Sequence, residues 1–434
     1  MPSKITVEGF KSIRDRIDVE IRPLTLLAGA NSSGKSSVLQ AILLLKQTLD
    51  APFDPGPLLL DGPHVKFTNV DQFLNFSGPG LRAQKVSIGL ESADGDGFET
   101  TLDRKSATEE LRVAKWRRRF STRFEVELSI DMSDQQLQAA GESLLDKEIP
   151  QYSRITSDTV PLSTNSVRIV SDRFALRRVM NLGDTEIKDD PLFYLPRIRD
   201  LIHVPGLRGN PDRSYPVAAS GPRFPGTFTQ YTASIVARWA REHSPNLAQL
   251  ERGLGSLGLT WKVETRRISD ANIELHVGRV PCPGPDSSKD LVNIADVGLG
   301  VSHVLPLLVA LLEAKPGQLV FVEQPEIHLH PKAQVAMASL LADAARRGVQ
   351  LVVETHSSMM LLAIQTLVAE EQLDPELVKL HWFSLDDRFG TTVVNSADLD
   401  EAGRFGDWPE DFDDVALQAQ SKYLDAVEAA LAKE

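Results

Sequence analysis

The sequence predicts an α/β fold built around a phosphate-binding loop, and three observations predict it. A short apolar strand, a glycine- and serine-rich turn and an apolar helix follow one another near the N-terminus. Two later apolar runs, "QLVFVE" at 318–323 and "LVVETHSS" at 351–358, end in acidic or polar clusters. Between these regions the pattern changes to short alternating segments, which predicts a mixed α+β insert.

The elements follow in order. Residues 4–9 alternate like a strand, 23–29 form a more continuously apolar strand, and "SSVLQAILLLKQTL" at 36–49 is a helix. Pro and Gly punctuate 52–65 as a loop. From about 84 to 200, "KVSIGLES", "FETTLD", "RFEVELSI" and "SVRIVSDRFALRRV" read as short strands, and 133–148 as a helix with a capping serine. Helices near 227–242 and 245–257 precede a hairpin made by "TWKVETRRI" and "ANIELHVGRV". Then come helix 299–314, strand 318–323, helix 331–347, strand 349–354 and helix 357–369. The last β pair is "KLHWFSLDD" with "GTTVVNSA", and 415–434 reads as a helical tail. The expected division is 1–83, the first half of the phosphate-binding unit; 84–200, the insert; 201–414, the second half; and 415–434, the tail.

Composition bounds the class. The chain has 434 residues, 42% hydrophobic and 25% charged, with a formal net charge of −13. That balance argues against a chain uniformly coated to bind nucleic acid. The start "MPSKITVEGFKS" has no apolar signal region, and no apolar run is long enough to span a bilayer, so no membrane partner is expected. One cysteine, Cys282, excludes an intrachain disulfide framework and suits the cytoplasm.

The chemistry begins at Gly29-Ala30-Asn31-Ser32-Ser33-Gly34-Lys35-Ser36, which fits G-x-x-x-x-G-K-[ST] and is followed by Ser37. Glycines let successive N–H groups turn toward phosphate oxygens. Lys35 reaches the β- and γ-phosphates, and Ser36 offers a hydroxyl to magnesium. The ligand expected is ATP with Mg2+. Downstream, "VFVEQPEIHLHP" at 320–331 ends a buried strand in Glu323, placed to hold magnesium through water. Gln324, Pro325 and Glu326 follow it. Glu354-Thr355-His356 ends the next strand, where a histidine can contact the γ-phosphate. Asp296, Gly298, Gly300 and Ser302 sit just ahead of a helix and make a second anion-binding helix start. One chain needs only one phosphate cradle, so a second suggests a γ-phosphate gripped by a neighbouring subunit.

Together these elements resemble the ABC-type ATPase heads of the SMC, RecF and OLD class. They look most like the compact bacterial AAA-type proteins of that class found in anti-phage defence operons, such as the Septu ATPase. The resemblance rests on "FKSI" at 10–13, "GANSSGKSS" at 29–37, "DVGLGVS" at 296–302, "EQPEIHLHP" at 323–331 and "ETHS" at 354–357. "PGLRGNPDRSY" at 205–215 and "GDWPEDFDD" at 406–414 add to it. It covers about 1–80 and 200–414, and it implies a P-loop ABC-type head. In that class two heads sandwich two ATP molecules. The resemblance implies phosphate binding by Gly29, Gly34, Lys35 and Ser36, and magnesium at Ser36 and Glu323. His356 becomes the switch histidine, and Asp296, Gly298, Gly300 and Ser302 act in trans. Gln72 is the candidate Q-loop glutamine and a further magnesium ligand. His328 and His330 fall where the interface loop belongs.

Two departures matter. Gln324 stands where such heads place a catalytic glutamate, and a glutamine cannot accept a proton as a general base. Three readings stay open. Glutamine is native and turnover slow, Glu326 or His356 takes the base role, or a glutamate was exchanged to trap the bound state. The second departure is that only residues 357–434 follow His356, too few for the nuclease domain of OLD proteins plus the terminal strands. A separate effector, nuclease or toxin, is therefore the expected partner, with a homodimer formed through ATP-bound heads. The competing reading is a RecF-like DNA repair ATPase. Its support is "LRVAKWRRRFSTRF" at 111–124, where Arg112, Lys115, Arg117, Arg118, Arg119 and Arg123 alternate with Trp116, Phe120 and Phe124. The opposing reading of that stretch is a strand with one solvated basic face and one apolar face.

Overall fold

The strand Leu24–Gly29 is buried at every position, as a strand covered on both faces must be. It lies inside a six-stranded sheet. Across that sheet run Ile202–Val204, Leu319–Glu323, Gln350–Glu354, Leu24–Gly29, Val378–Leu385 and Thr392–Ala397. All neighbours are parallel except the last pair. Side chains alternate between two cores. Leu24, Leu26, Val320, Val322, Leu351 and Val353 join the helices Leu299–Glu313, Pro331–Arg346 and Ser358–Ala369. Leu27, Leu319, Phe321 and Val352 face the other way, toward the helix Lys35–Asp50. This is the computed structural model of the chain, and it describes residues 1–76, 82–104, 110–120, 124–133, 135–136, 166–182, 185–188, 196–218, 221, 223–281 and 290–406. Most of the helix expected at 133–148, Arg123, and the tail expected at 415–434 lie outside the described residues.

A second six-stranded sheet is antiparallel. Its order is Ile17–Glu20, Pro2–Glu8, Lys85–Ser92, Gly97–Asp103, Arg112–Phe120 and Phe124–Ser129. Pro2–Glu8 pairs directly with Lys85–Ser92, with Val7 opposite Ile88. The sheet therefore runs across the boundary expected at 83/84. Residues 85–129 extend a sheet begun by the N-terminus, and their apolar face packs into the same core as the helix Lys35–Asp50. Trp116 lies in that core at 2% exposure and stacks on Phe98 at 5.1 Å. Phe174 closes the cluster, 6.2 Å from the Trp116 ring.

The expected hairpin is the pair Val263–Arg267 and Asn272–Gly278, extended by Tyr215–Pro216 and Leu291–Asn293. The helix expected at 227–242 is split, with a 3-10 turn at Phe228–Tyr231 before the α-helix Thr232–Arg241. Among the described residues no helix is long and apolar enough to cross a membrane.

If Trp116 is a core anchor and not an exposed stacking platform, Trp116→Ala removes a large buried ring. The expected loss is about 3–5 kcal/mol of unfolding free energy, read from a urea melt. A loss below about 0.5 kcal/mol, the range of ordinary surface changes, would contradict the placement.

Candidate active site

The loop after Leu24–Gly29 is shaped by what surrounds it. Gly29 has φ 135°, and a Cβ there would lie 2.0 Å from the Phe383 carbonyl oxygen. Gly34 has φ 103°, and a Cβ there would lie 2.3 Å from Thr392 Oγ1. Only glycine meets both demands. Two residues that the motif does not contain brace this turn. Thr392 Oγ1 donates to the Ser33 carbonyl at 2.9 Å, and Thr392 N donates to the Ser12 carbonyl at 2.8 Å. Ser33 and Ser37 are buried, while Ala30, Asn31 and Ser32 are exposed at the tip. Lys35 Nζ donates to the carbonyls of Gly29 at 2.9 Å and Ala30 at 2.6 Å. A bound triphosphate would exchange those carbonyls for phosphate oxygens.

The acids come from strand register. Glu323 and Glu354 are directly paired at the ends of parallel strands. By parity both point to the face covered by Lys35–Asp50, as Phe321 and Val352 do. Ser36 Oγ donates to Glu354 Oε1 at 2.8 Å. Glu354 is 4% exposed, and its Oε2 is buried with no hydrogen-bond partner. Burial raises its pKa, the neighbouring Glu323 charge adds to that, and Ser36 and Lys35 oppose it. Glu323 is held differently. His203 Nε2 lies 3.1 Å from its Oε1, and Gly206 N donates to its Oε2 at 3.0 Å. Burial alone would raise Glu323, but the His203 bond, the Gly206 bond and the Arg208 charge hold it below its ordinary value.

Gln324 sits in the left-handed region at φ 44°, with its N–H donating to the Glu354 carbonyl at 2.8 Å. Such a φ is uncommon for a residue with a long side chain. Its Oε1 lies 3.6 Å from where a Cβ on Gly206 would be. Glu326 Oε1 accepts from the His356 backbone N–H at 2.6 Å, and its Oε2 is buried without a partner. Burial raises the Glu326 pKa. His356 is held below its ordinary value by burial and by Lys35, with the Gly29 backbone opposing the shift. Glu323, Gln324, Glu326, Glu354, Lys35, Ser36 and His356 thus meet at one edge of the sheet.

Other expected residues lie elsewhere. Gln72 is exposed, and its amide is used locally by Thr68, which donates from its N at 2.8 Å and accepts at its Oγ1 at 2.8 Å. No hydrogen bond joins it to Ser36 or Glu323 among the described residues. Asp296 pairs with Arg213 at 2.5 Å. Gly298 caps the helix Leu299–Glu313 and faces open space, whereas Gly300 packs against Leu259 and the His328 carbonyl. Ser302 is 9% exposed and bonds back to the Leu299 carbonyl. No hydrogen bond or ion pair ties 296–302 to 29–37 among the described residues. Arg208, whose expected place is near the nucleotide or the 296–302 loop, joins the helix Leu299–Glu313 to the end of the strand Leu319–Glu323. Its Nη1 donates to the His303 carbonyl and its Nη2 to the Glu323 carbonyl at 3.5 Å. His328 stacks edge-on against His303 at 4.7 Å, and His330 caps the helix Pro331–Arg346.

The basic strand Arg112–Phe120 is paired with acids. Arg112 meets Asp103, Lys115 meets Glu127, Arg117 meets Glu99, Glu125 and Glu127, and Arg119 meets Glu91 and Glu125. Arg118 is 7% exposed and lies over the Phe120 ring at 4.9 Å. This face is a charge-balanced ladder, which favours the structural reading of the stretch.

Magnesium fits the pocket edge. Among the described residues no three His, Cys, Asp or Glu side chains form a metal site by themselves. Magnesium does not need one, because it keeps several waters and takes phosphate oxygens. The Ser36 hydroxyl and the orphaned Glu354 oxygen are the donors available beside Lys35.

Comparison with known proteins agrees with this geometry. Residues 1–134 match the family described as "AAA ATPase domain". Residues 263–363 match "AAA domain, putative AbiEii toxin, Type IV TA system". The two matches carry the loop at 29–37 and the acids at 323–326. The fold is that of a P-loop ATPase. The matches support an ATPase of the AAA type. Solved structures similar to the chain include an SMC head bound to the C-winged helix domain of ScpA, at 14% identity and TM-score 0.49, covering 92% of this chain and 98% of that one. An SMC head domain from Thermotoga maritima shows 13% identity and TM-score 0.41, covering 91% and 98%. A Pyrococcus furiosus Smc head with an extended coiled coil, bound to the C-terminal domain of ScpA, shows 15% and 0.46, covering 98% and 99%. No curated protein matches the chain.

Two outcomes follow. A buried acid whose pKa is raised is one the fold would rather keep neutral. Glu354→Gln should therefore leave the melting temperature unchanged or higher, while Mg2+-dependent ATP affinity falls about 10-fold or more; a lower melting temperature with unchanged affinity would contradict this. For the basic strand, Arg117→Ala with Arg119→Ala should leave any DNA binding within about 3-fold of the parent in a titration. Neutralising a free phosphate-binding patch would instead weaken it many-fold.

Proposed function

We propose that this protein binds ATP with magnesium at the edge formed by Gly29–Ser37, Glu323, Glu354 and His356, and hydrolyses it slowly. The observation that carries the reading is the Ser36–Glu354 hydrogen bond beside Lys35, with one Glu354 oxygen left free in a buried site. The loop N–H groups and Lys35 bind and orient the phosphates. Ser36 and Glu354 hold the cation side, with Glu323 fixed next to them. When bound, magnesium neutralises charge on the β- and γ-phosphates. His356 sits between the loop and Glu326, placed to report whether the γ-phosphate is present.

Gln324 sets the rate. Its amide orients a water but accepts no proton. The carboxylate nearest to it in sequence that keeps an uncommitted oxygen is Glu326. Slow turnover suits a switch. We extend the reading to two copies closing on ATP, with Asp296, Gly298, Gly300 and Ser302 of one facing the phosphates of the other. The closed pair would control a separate effector in anti-phage defence. That extension is supported by the resemblance of the motifs and by the toxin–antitoxin description of the family matched at 263–363.

Steady-state hydrolysis of the parent, Lys35→Ala and Gln324→Glu, with light scattering on the same samples, tests it. The parent should turn over slowly, Lys35→Ala should lose hydrolysis and ATP-dependent association, and Gln324→Glu should raise kcat at least 10-fold. Equal rates in the parent and Lys35→Ala would refute an active site at this loop. ATP binding without any change in assembly would refute the switch.

A further inference from the structure

Behind Glu323 lies a pair of histidines, His203 buried and His64 half-buried, that the ATP reading does not use. His203, 2% exposed, sits on the strand Ile202–Val204 opposite Phe321. It therefore faces the same side of the sheet as Glu323, two residues further along. Its Nε2 is 3.1 Å from Glu323 Oε1, and its Nδ1 is 2.9 Å from His64 Nδ1. Gly206 N takes the second Glu323 oxygen at 3.0 Å. Both oxygens of Glu323 are thus claimed from within the chain, whereas Glu354 keeps one free.

His64 is itself anchored to the helix that begins at Lys35. Gln47 Oε1 accepts from His64 N at 3.2 Å and from Val65 N at 3.0 Å. Gln47 Nε2 donates to the Leu59 carbonyl at 2.6 Å, and Gln47 is 1% exposed. A Cβ at Gly62 would lie 2.6 Å from the Gln47 side chain, so this turn packs tightly on the helix. A line of contacts runs from Gln47 through His64 and His203 to Glu323.

We propose that His203 is a positioning residue for the ATP site, clamping Glu323 in one orientation through its Nε2–H while His64 holds its tautomer from behind. Proton placement follows from the acceptor. Glu323 as a carboxylate only accepts, so His203 Nε2 carries the hydrogen. In the neutral ring His203 Nδ1 is then an acceptor, and His64 Nδ1–H donates to it. His64 Nε2 is left as a buried lone pair, and it has no hydrogen-bond partner. An apolar residue of similar size would fill the space at 203 equally well. What histidine adds is a donor aimed at Glu323. Outer partners of this kind fix the orientation of the groups that hold a cation. The inference rests on the ATP reading above and names a residue for the same site.

The test compares the parent with His203→Leu, His203→Gln, His64→Leu and Lys35→Ala. ATP affinity is measured by calorimetry with and without Mg2+, alongside kcat, KM and melting temperature. His203→Leu should lower the Mg2+-dependent gain in ATP affinity about 10–100-fold, leaving Mg2+-free affinity unchanged. His203→Gln, whose amide N–H reaches the same place, should recover most of it. His64→Leu should show a smaller loss in the same direction. A His203→Leu protein with the parent's Mg2+ dependence and kcat overturns the proposal. So does a His203→Gln protein as impaired as His203→Leu with a matching fall in melting temperature, because that marks a packing role. If His203→Leu does not fold, a His64→Leu protein at the parent's level overturns it. A parent that does not bind ATP, or a Lys35→Ala protein that binds as well as the parent, removes the ATP reading and this proposal together.

Discussion

The parallel register that sets Glu323 beside Glu354 governs the site. Because the two strands are paired residue for residue, both acids emerge on the face covered by the helix that begins at Lys35. A one-residue slip of either strand would send its acid into the opposite core. That core is lined by Val322 and Val353, where a carboxylate would have no partner. With the register as it is, Ser36 meets Glu354, and Glu323 meets the His203 ring and the Gly206 amide. The loop around Gly29 and Gly34 is then closed from outside by Phe383 and Thr392, on the strands beyond it.

The same register crowds charge. Glu323, Glu326 and Glu354 lie near one lysine, and burial pushes two of the three upward in pKa. The fold tolerates this with fixed dipoles and with Arg208. Gly206 and the His356 backbone donate N–H groups, and Arg208 adds a positive charge, its pKa lowered by desolvation to about 10. Sites that concentrate like charge in this way trade stability for ligand affinity. Gln324 fits that economy. A fourth carboxylate at this edge would add repulsion, and the glutamine instead contributes a neutral amide at the cost of base strength.

Much of this was legible in the sequence. The loop at 29–36 is a local pattern, and its strand and helix neighbours make it hard to mistake. Glu323 and His356 could be placed because each ends an apolar run. Glu354 stood in plain view in the same cluster, but its partnership with Ser36 depends on which strand lies between the two motif strands, and sequence order does not state that. His203 and His64 are 139 residues apart, and neither belongs to a motif. That a sheet runs across the boundary expected at 83/84 was hidden for a related reason. A change of pattern marks a change of sheet type, but Lys85–Ser92 pairs with the N-terminal strand across that break. The basic stretch misled in the other direction, because the acids that balance it come mostly from Gly97–Asp103 and Phe124–Ser129, strands on either side of it, with Glu91 added from Lys85–Ser92. Alternation within 112–120 was the usable signal, with Trp116 and Arg118 inward and Arg117 and Arg119 outward.

The central claim is that Ser36 and Glu354 form the cation side of an ATP site. The most direct test is a crystal structure of the parent with a non-hydrolysable ATP analogue and Mn2+, with the metal located by anomalous scattering. The account predicts a manganese peak beside Ser36 Oγ, with Glu354 turned toward it and the phosphates inside the loop at 29–37. A peak served by Glu323 alone with Glu354 turned away, or a nucleotide bound outside the loop, would contradict it.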